Sequence, residues 1–180
     1  MAELAALRAL AGRSVAEQDV TVTPAGPAFR VSLRARAEDV VAASKALGVA
    51  LPDKPKTSAQ AKGRAALWLG PDEWYVIDEK GDPLAALAKS KALHSSVDIS
   101  HRNVGIAVEG AAAEACLAAG VPQNLSLATF PVGACSRTVL GKVEIVLWRT
   151  GEHAFRVECW RSFSTYVMDF LEEAAADASA

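Results

Sequence analysis

Apolar residues alternate with polar ones at Phe29, Val31 and Leu33 against Arg30, Ser32 and Arg34, and this period of two predicts a strand whose arginine face is the wetter one. Thr21-Val22-Thr23 is a short strand candidate ahead of it, separated by a turn at Pro24, Gly26 and Pro27. The period then lengthens. Val40, Val41, Ser44 and Leu47 share one side of a helix over about Ala37 to Leu47, and Gly48 stops it. From Leu51 to Gly63, prolines, lysines and small polar residues break both periods, so the segment reads as a mobile surface loop or one ordered by a partner. A hairpin from Ala65 to Asp78 follows, turning through Gly70-Pro71-Asp72-Glu73. After it comes a helix over about Pro83 to Leu93, with proline in its first turn and Leu84, Leu87 and Ala88 inward.

Beyond this point the pattern is met again. Strands over Ser95 to Ile99 and Val104 to Glu109 flank Ser100-His101-Arg102-Asn103, and Gly110 opens a helix that turns Ala113, Cys116 and Leu117 inward. Cys135 to Leu140 is a strand, and Val143, Ile145 and Leu147 then alternate with Glu144, Val146 and Trp148. Phe155, Val157 and Cys159 alternate with Arg156 and Glu158 on the next strand. A final helix has Phe163, Tyr166, Val167, Phe170, Leu171 and Ala174 at helical spacing, with Ser162 as its N-cap and fraying expected beyond Glu173.

Two tryptophans anchor the repeat, since Leu67-Trp68-Leu69-Gly70 parallels Leu147-Trp148-Arg149-Thr150. Strand, helix, hairpin and helix recur in residues 28–92 and 103–176. A repeat of this length is a supersecondary unit rather than a solenoid module. The fold class expected is therefore α+β, two βαββα halves with largely antiparallel sheets. The organisation expected is a helical extension over residues 1–20, with Leu4, Leu7 and Ala11 on one face and Gly12 as its end. A single duplicated domain over 21–176 and a frayed tail at 177–180 complete it.

Composition narrows the function classes. With 180 residues and 51% hydrophobic content the chain can bury a core, and 19 basic against 21 acidic residues, formally −2 at pH 7, leave no electrostatic footprint for nucleic acid. Cys116, Cys135 and Cys159 are an odd, widely spaced set that fits a reducing compartment and small core residues. No stretch of about 18 apolar residues is present to span a bilayer, and the opening residues lack a signal-peptide pattern, so a cytoplasmic location is expected.

Chemistry-bearing motifs are few. His94, His101 and His153 have no metal-ligand spacing, and neither a phosphate-binding glycine loop nor a nucleophile elbow is present, so no metal site and no catalytic centre are expected on this chain. Asp98-Ile99-Ser100-His101-Arg102 is the densest polar cluster between apolar strands. It reads first as a tight connection in which Asp98 or Ser100 bonds the local backbone, and second as a turn presenting Asp98 and His101 to a ligand. Trp68, Trp74, Trp148 and Trp160 read as core or interface anchors, and Arg161 as a residue that pairs within the domain or reaches a partner chain.

Val97-Asp98-Ile99-Ser100-His101-Arg102, the strand to Gly110 with its Ala-rich helix, Thr138-Val139-Leu140-Gly141 and the end Phe155-Arg156-Val157-Glu158-Cys159-Trp160-Arg161-Ser162-Phe163 resemble the gamma subunit of heterotetrameric sarcosine oxidase. The resemblance covers about Gly63 to Glu173 and is most specific at Arg161-Ser162-Phe163. That family in turn is similar to the N-terminal folate-binding domain of the glycine-cleavage T-protein. Where the T-protein has an acidic pair after a glycine, this chain runs Gly141-Lys142-Val143-Glu144-Ile145, with Glu144 alone acidic. The resemblance implies a non-catalytic scaffold in a complex with alpha, beta and delta subunits, held chiefly by alpha. Such a complex oxidatively demethylates sarcosine to glycine, forms peroxide and passes a one-carbon unit to tetrahydrofolate, with FAD, FMN and NAD on the other subunits.

Partner contact is expected at Leu4, Leu7, Trp160 and Arg161 and along the Lys54 to Lys62 loop. The alternatives are a stand-alone folate-binding or aminomethyl-transfer protein with a site at Asp98, His101 and Glu144, and an assembly domain whose partner is unrelated to sarcosine.

Overall fold

A computed structural model describes residues 9–179, so the expectation for Leu4 and Leu7 lies outside the described residues. The strands are β1 (Val15–Ala16), β2 (Thr21–Pro24), β3 (Phe29–Ala35), β4 (Ser58–Ala61), β5 (Arg64–Gly70), β6 (Glu73–Asp78), β7 (His94–Asp98), β8 (Asn103–Glu109), β9 (Cys135–Leu140), β10 (Val143–Gly151) and β11 (Ala154–Trp160). The helices are α1 (Val40–Leu47), α2 (Pro83–Leu87), α3 (Ala113–Ala118) and α4 (Ser164–Ala178), with 3-10 turns at Ala37–Asp39 and Arg161–Phe163. Residues 27–100 form one compact unit. The described residues before 27 and after 100 form the other.

Unit 27–100 carries a sheet in the order β4-β5-β6-β3-β7, and the second unit a sheet in the order β1-β2-β8-β11-β10-β9, with every pairing antiparallel. The antiparallel α+β reading holds. The two sheets also share an order: β4-β5-β6-β3 matches β9-β10-β11-β8. Each is flanked beside its β3 or β8 by a strand that precedes the other's. β2 leads in sequence to β3 yet pairs with β8, while β7 leads to β8 yet pairs with β3. This exchange explains why the compact units divide at 26/27 and 100/101, away from the sequence repeat itself.

In unit 27–100, Val31, Leu33, Ala66, Trp74 and Val76 present one face of the sheet to Ala43 and Leu47 of α1 and Leu87 of α2. The Trp74 indole N–H donates to the Pro52 carbonyl at 2.8 Å, which satisfies the polar end of a buried ring. In the second unit, Val104, Ile106, Ile145, Leu147, Phe155 and Val157 pack beneath α3 and α4. All three inward residues of α3 named from the sequence are fully buried.

Several expectations are corrected. The Leu51 to Gly63 segment is not a loop throughout: Leu51 is buried, its N–H is held by the Ser44 hydroxyl at 3.0 Å, and Ser58–Ala61 pairs with β5. Small residues pair well at a sheet edge because the ladder uses backbone groups and asks little of the side chains. In α1 the helix begins three residues later than expected, and Ala43 and Leu47 face inward while Val41 is 79% exposed. α2 ends at Leu87, leaving Ala88 exposed. Arg30, expected on a wetter face, is buried, and so are Arg156 and Glu158 on β11. Ser162 is not the cap of α4, because a 3-10 turn intervenes and Ser164 instead donates to the Arg161 carbonyl at 2.8 Å. That helix also runs on to Ala178, with Ala174 and Ala175 buried, so the fraying expected beyond Glu173 is not found.

The tryptophan anchor of the repeat is one residue out of register. Both hairpins carry a bulge just before the turn, between Trp68 and Gly70 in one and between Arg149 and Gly151 in the other. Measured from the bulge, Trp68 corresponds to Arg149 rather than Trp148. Side chains alternate along a strand, so Trp68 packs against the helical core of its unit, whereas Trp148 lies on the face opposite Leu147 and Arg149.

Candidate functional site

The polar turn behaves as its local chemistry predicts. The Asp98 carboxylate accepts from the Ser100 N–H at 2.8 Å and from its hydroxyl at 2.5 Å, and that hydroxyl accepts the Arg30 N–H at 2.9 Å. Asp98 and Ser100 therefore fasten the end of β7 to β3. Asp98 belongs to unit 27–100, whereas His101 and Glu144 belong to the other unit. Within that unit His101 is exposed just ahead of β8 and Glu144 is exposed on β10, with β11 between these strands. Two strand spacings are about 10 Å.

A different group of residues does come together. Trp160 ends β11, Arg161–Phe163 form the 3-10 turn and α4 continues from Ser164. The Arg102 guanidinium carbon lies 4.8 Å from the Trp160 ring centroid, a cation–π distance. Trp160 and Phe163 have centroids 6.4 Å apart, and Tyr166 and Phe170 the same. Trp160 is 43%, Phe163 45% and Tyr166 38% exposed. The turn that presents them is pinned, since the Arg161 N–H donates to the Arg102 carbonyl at 2.7 Å. Neither Arg102 nor Arg161 makes an ion pair among the described residues.

Trp160 and Arg161 were legible as contact candidates, but Arg102 and Phe163 were not. The sequence reading placed Phe163 and Tyr166 on the buried stripe. In fact Ser164, Val167, Met168, Leu171, Ala174 and Ala175 are buried, which rotates Phe163 and Tyr166 outward. The signal was present: Val167, Met168, Leu171, Ala174 and Ala175 satisfy helical spacing without any aromatic residue.

Titratable groups are otherwise structural. Arg13 is held above its ordinary range by hydrogen bonds to Glu172 and Asp169, with contacts of 2.5 Å and 2.7 Å that tie the residues before β1 to α4. Burial alone would raise the Asp78 carboxyl, yet the Lys80 and Gly81 N–H groups and Arg64 outweigh it and leave it below its ordinary value. No group of three or more histidine, cysteine, aspartate or glutamate residues suited to a metal ion is found among the described residues, and no helix there is long and apolar enough to cross a membrane.

The model of the sarcosine oxidase gamma subunit family matches residues 34–177. Sarcosine oxidase gamma subunits from Corynebacterium sp. (strain P-1) and Arthrobacter sp are each 31% identical over 140 residues, 76% of this chain and 69% of each relative. In the solved heterotetrameric sarcosine oxidase from Corynebacterium sp. U-96, in complex with pyrrole 2-carboxylate, a chain superposes with a TM-score of 0.83 at 29% identity, covering 97% of this chain and 93% of that one. The glycine cleavage system aminomethyltransferase T from Bartonella henselae shares the fold, with a TM-score of 0.65 at 13% identity over 94% of this chain and 48% of that chain. A family match across four-fifths of the sequence, joined by these relatives, means that the chain belongs to the sarcosine oxidase gamma subunit family.

Proposed function

We propose that this chain is the non-catalytic scaffold subunit of a heterotetrameric sarcosine oxidase, held in the cytoplasm by alpha, beta and delta subunits and chiefly by alpha. The complex oxidises the methylamine carbon of sarcosine, leaving glycine. Electrons pass from FAD through FMN to oxygen, giving peroxide, and the one-carbon unit goes to tetrahydrofolate. FAD, FMN and NAD belong to the other subunits in this reading. The observation that carries it is the near end-to-end superposition on a chain of a heterotetrameric sarcosine oxidase. The committed Asp98 carboxylate and the separation of His101 from Glu144 favour a scaffold over a folate-transfer centre within this chain.

Co-expression with the alpha, beta and delta subunits, followed by size exclusion and a sarcosine-dependent peroxide assay, tests the proposal. Co-elution, with activity or stability lost when this chain is omitted, is the expected result. An active complex that assembles equally well without it would overturn the scaffold role.

A further inference from the structure

We infer that the ridge formed by Arg102, Trp160, Arg161, Phe163 and Tyr166 docks an acidic segment of a partner subunit, one that carries an apolar anchor between carboxylates. This inference rests on the scaffold reading and adds the surface and the chemistry of its occupant.

The ridge combines three properties that a solvated surface seldom has together. Trp160, Phe163 and Tyr166 are exposed by 38–45% each within one stretch of seven residues, and contiguous exposed aromatic area marks interaction sites. Tryptophan, tyrosine and arginine are also the side chains that dominate binding energy at interfaces. Second, the rings are held in place. Arg102 lies over Trp160, the Arg161 N–H bonds the Arg102 carbonyl, and the Tyr166 hydroxyl sits against Gly141, where an added Cβ would come within 2.5 Å of it. Rings fixed in advance lose little freedom on binding.

Third, the charge is uncompensated. Arg102 and Arg161 make no ion pair among the described residues, and of the carboxylates farther along α4, Asp169 and Glu172 are engaged by Arg13, while Glu173 and Asp177 lie toward the far end of the helix. Exposed Lys142 adjoins Gly141 and so adds a third cation near Tyr166. On the β10–β11 ladder beside Trp160, buried Glu158 is engaged by Arg156, which leaves Glu144, next in line to the Ile145–Cys159 pair, as the exposed carboxylate there. Arg102, Arg161 and Lys142, none of them ion-paired among the described residues, select an acidic occupant, because complementary charge steers encounter and excludes like-charged partners.

The test uses the complex. Trp160→Ala, Phe163→Ala and the double charge reversal Arg102→Glu/Arg161→Glu are each introduced into this chain, and folding is checked by thermal midpoint. Affinity for the remaining subunits is then measured at low and high salt. Trp160→Ala is expected to weaken binding by about 30-fold or more, the size of an interface hot spot. The charge reversal should slow association and reverse the sign of its salt dependence, because salt then screens a repulsion. Wild-type affinity in all three folded variants overturns the inference while leaving the scaffold reading intact. Failure of the unaltered chain to bind any subunit defeats the scaffold reading and the inference with it. A concentration-dependent dimer of the isolated chain that Trp160→Ala dissolves, with subunit affinity unchanged, assigns the ridge to a second copy and likewise overturns it.

Discussion

The guanidinium of Arg149 reaches the carboxylate of Glu114 at 2.9 Å from a side chain with no solvent exposure. Arg149 also donates to the Glu152 carbonyl at 2.8 Å and to the Leu125 carbonyl, and lies 4.3 Å from the Phe155 ring centroid. One buried cation therefore joins α3, the α3–β9 connection and the β10–β11 hairpin.

Arg149→Met leaves those carbonyls without their donor and should lower stability by about 1–3 kcal/mol for each one left buried and unsatisfied. Arg149→Lys is expected to recover only part of this, since an ammonium cannot reproduce a planar fork aimed at separate acceptors. Glu114 is half exposed, so Glu114→Gln should cost about 1 kcal/mol. Urea denaturation midpoints at constant slope give the ranking. Wild-type stability in Arg149→Met would show that the buried cation holds nothing together.

Two glycines let α4 approach the sheet. A Cβ on Gly120 would lie 2.6 Å from the Phe170 ring and 2.9 Å from Leu140, and Gly141 has φ +58 with the Tyr166 hydroxyl 2.5 Å from its Cβ position. Gly120→Ala should cost about 1–3 kcal/mol through overpacking. The cost should fall when Phe170→Ala is combined with it, because the clash is with the ring. Gly141→Ala should stay destabilising even with Tyr166→Phe, since the left-handed backbone remains. Equal rescue of both by ring changes would contradict this division between steric and backbone strain.

The facing of β3, β10 and β11 was legible because alternation persists through them, and the α+β class follows from those elements. The exchange of β2 and β7 was not legible. Pairing partners depend on the whole assembly of strands, and Thr21-Val22-Thr23 carries no mark of whether it joins β3 or β8. The bulge at Arg149 was hidden too, since one extra residue leaves the hydrophobic pattern of Val143, Ile145 and Leu147 untouched while inverting everything beyond it. At the candidate site, Asp98 was read correctly as a turn residue from its chemistry alone. The outward rotation of Phe163 was missed because aromatic residues bias the choice of helical face.

Asp78 makes part of the stability of unit 27–100 dependent on pH. It accepts from the Lys80 and Gly81 N–H groups at 2.7 and 2.8 Å and from Arg64 Nε at 2.7 Å, and its carboxyl lies below the ordinary 3.8 despite burial. Between the folded and unfolded values the unfolded chain holds the extra proton. The contribution is thus complete above about pH 5 and lost as pH falls through the depressed folded value. The stability gap between wild type and Asp78→Asn should be flat from pH 7 to about 5 and close below it. Arg64→Met should keep much of that acid sensitivity, because the two backbone donors outrank the guanidinium. A gap that widened in acid would reverse the assigned sign.

Cys116 offers a probe of how tightly α3 and α4 stay joined. Its thiol lies 3.7 Å from the Leu171 carbonyl with no exposure, and burial pushes it up to about 11. At pH 8 only about one thiol in a thousand is ionised, and access is blocked as well. Cys135 and Cys159 are buried too. The native protein should therefore give no rapid reaction with an aromatic disulfide reagent, while the urea-unfolded chain titrates all three thiols. Slow native labelling should accelerate in Gly120→Ala, which loosens the contact between α4 and the α3 end of the core. A stoichiometric burst from the native wild type would mean that the α3–α4 contact opens far more readily than a closed core allows.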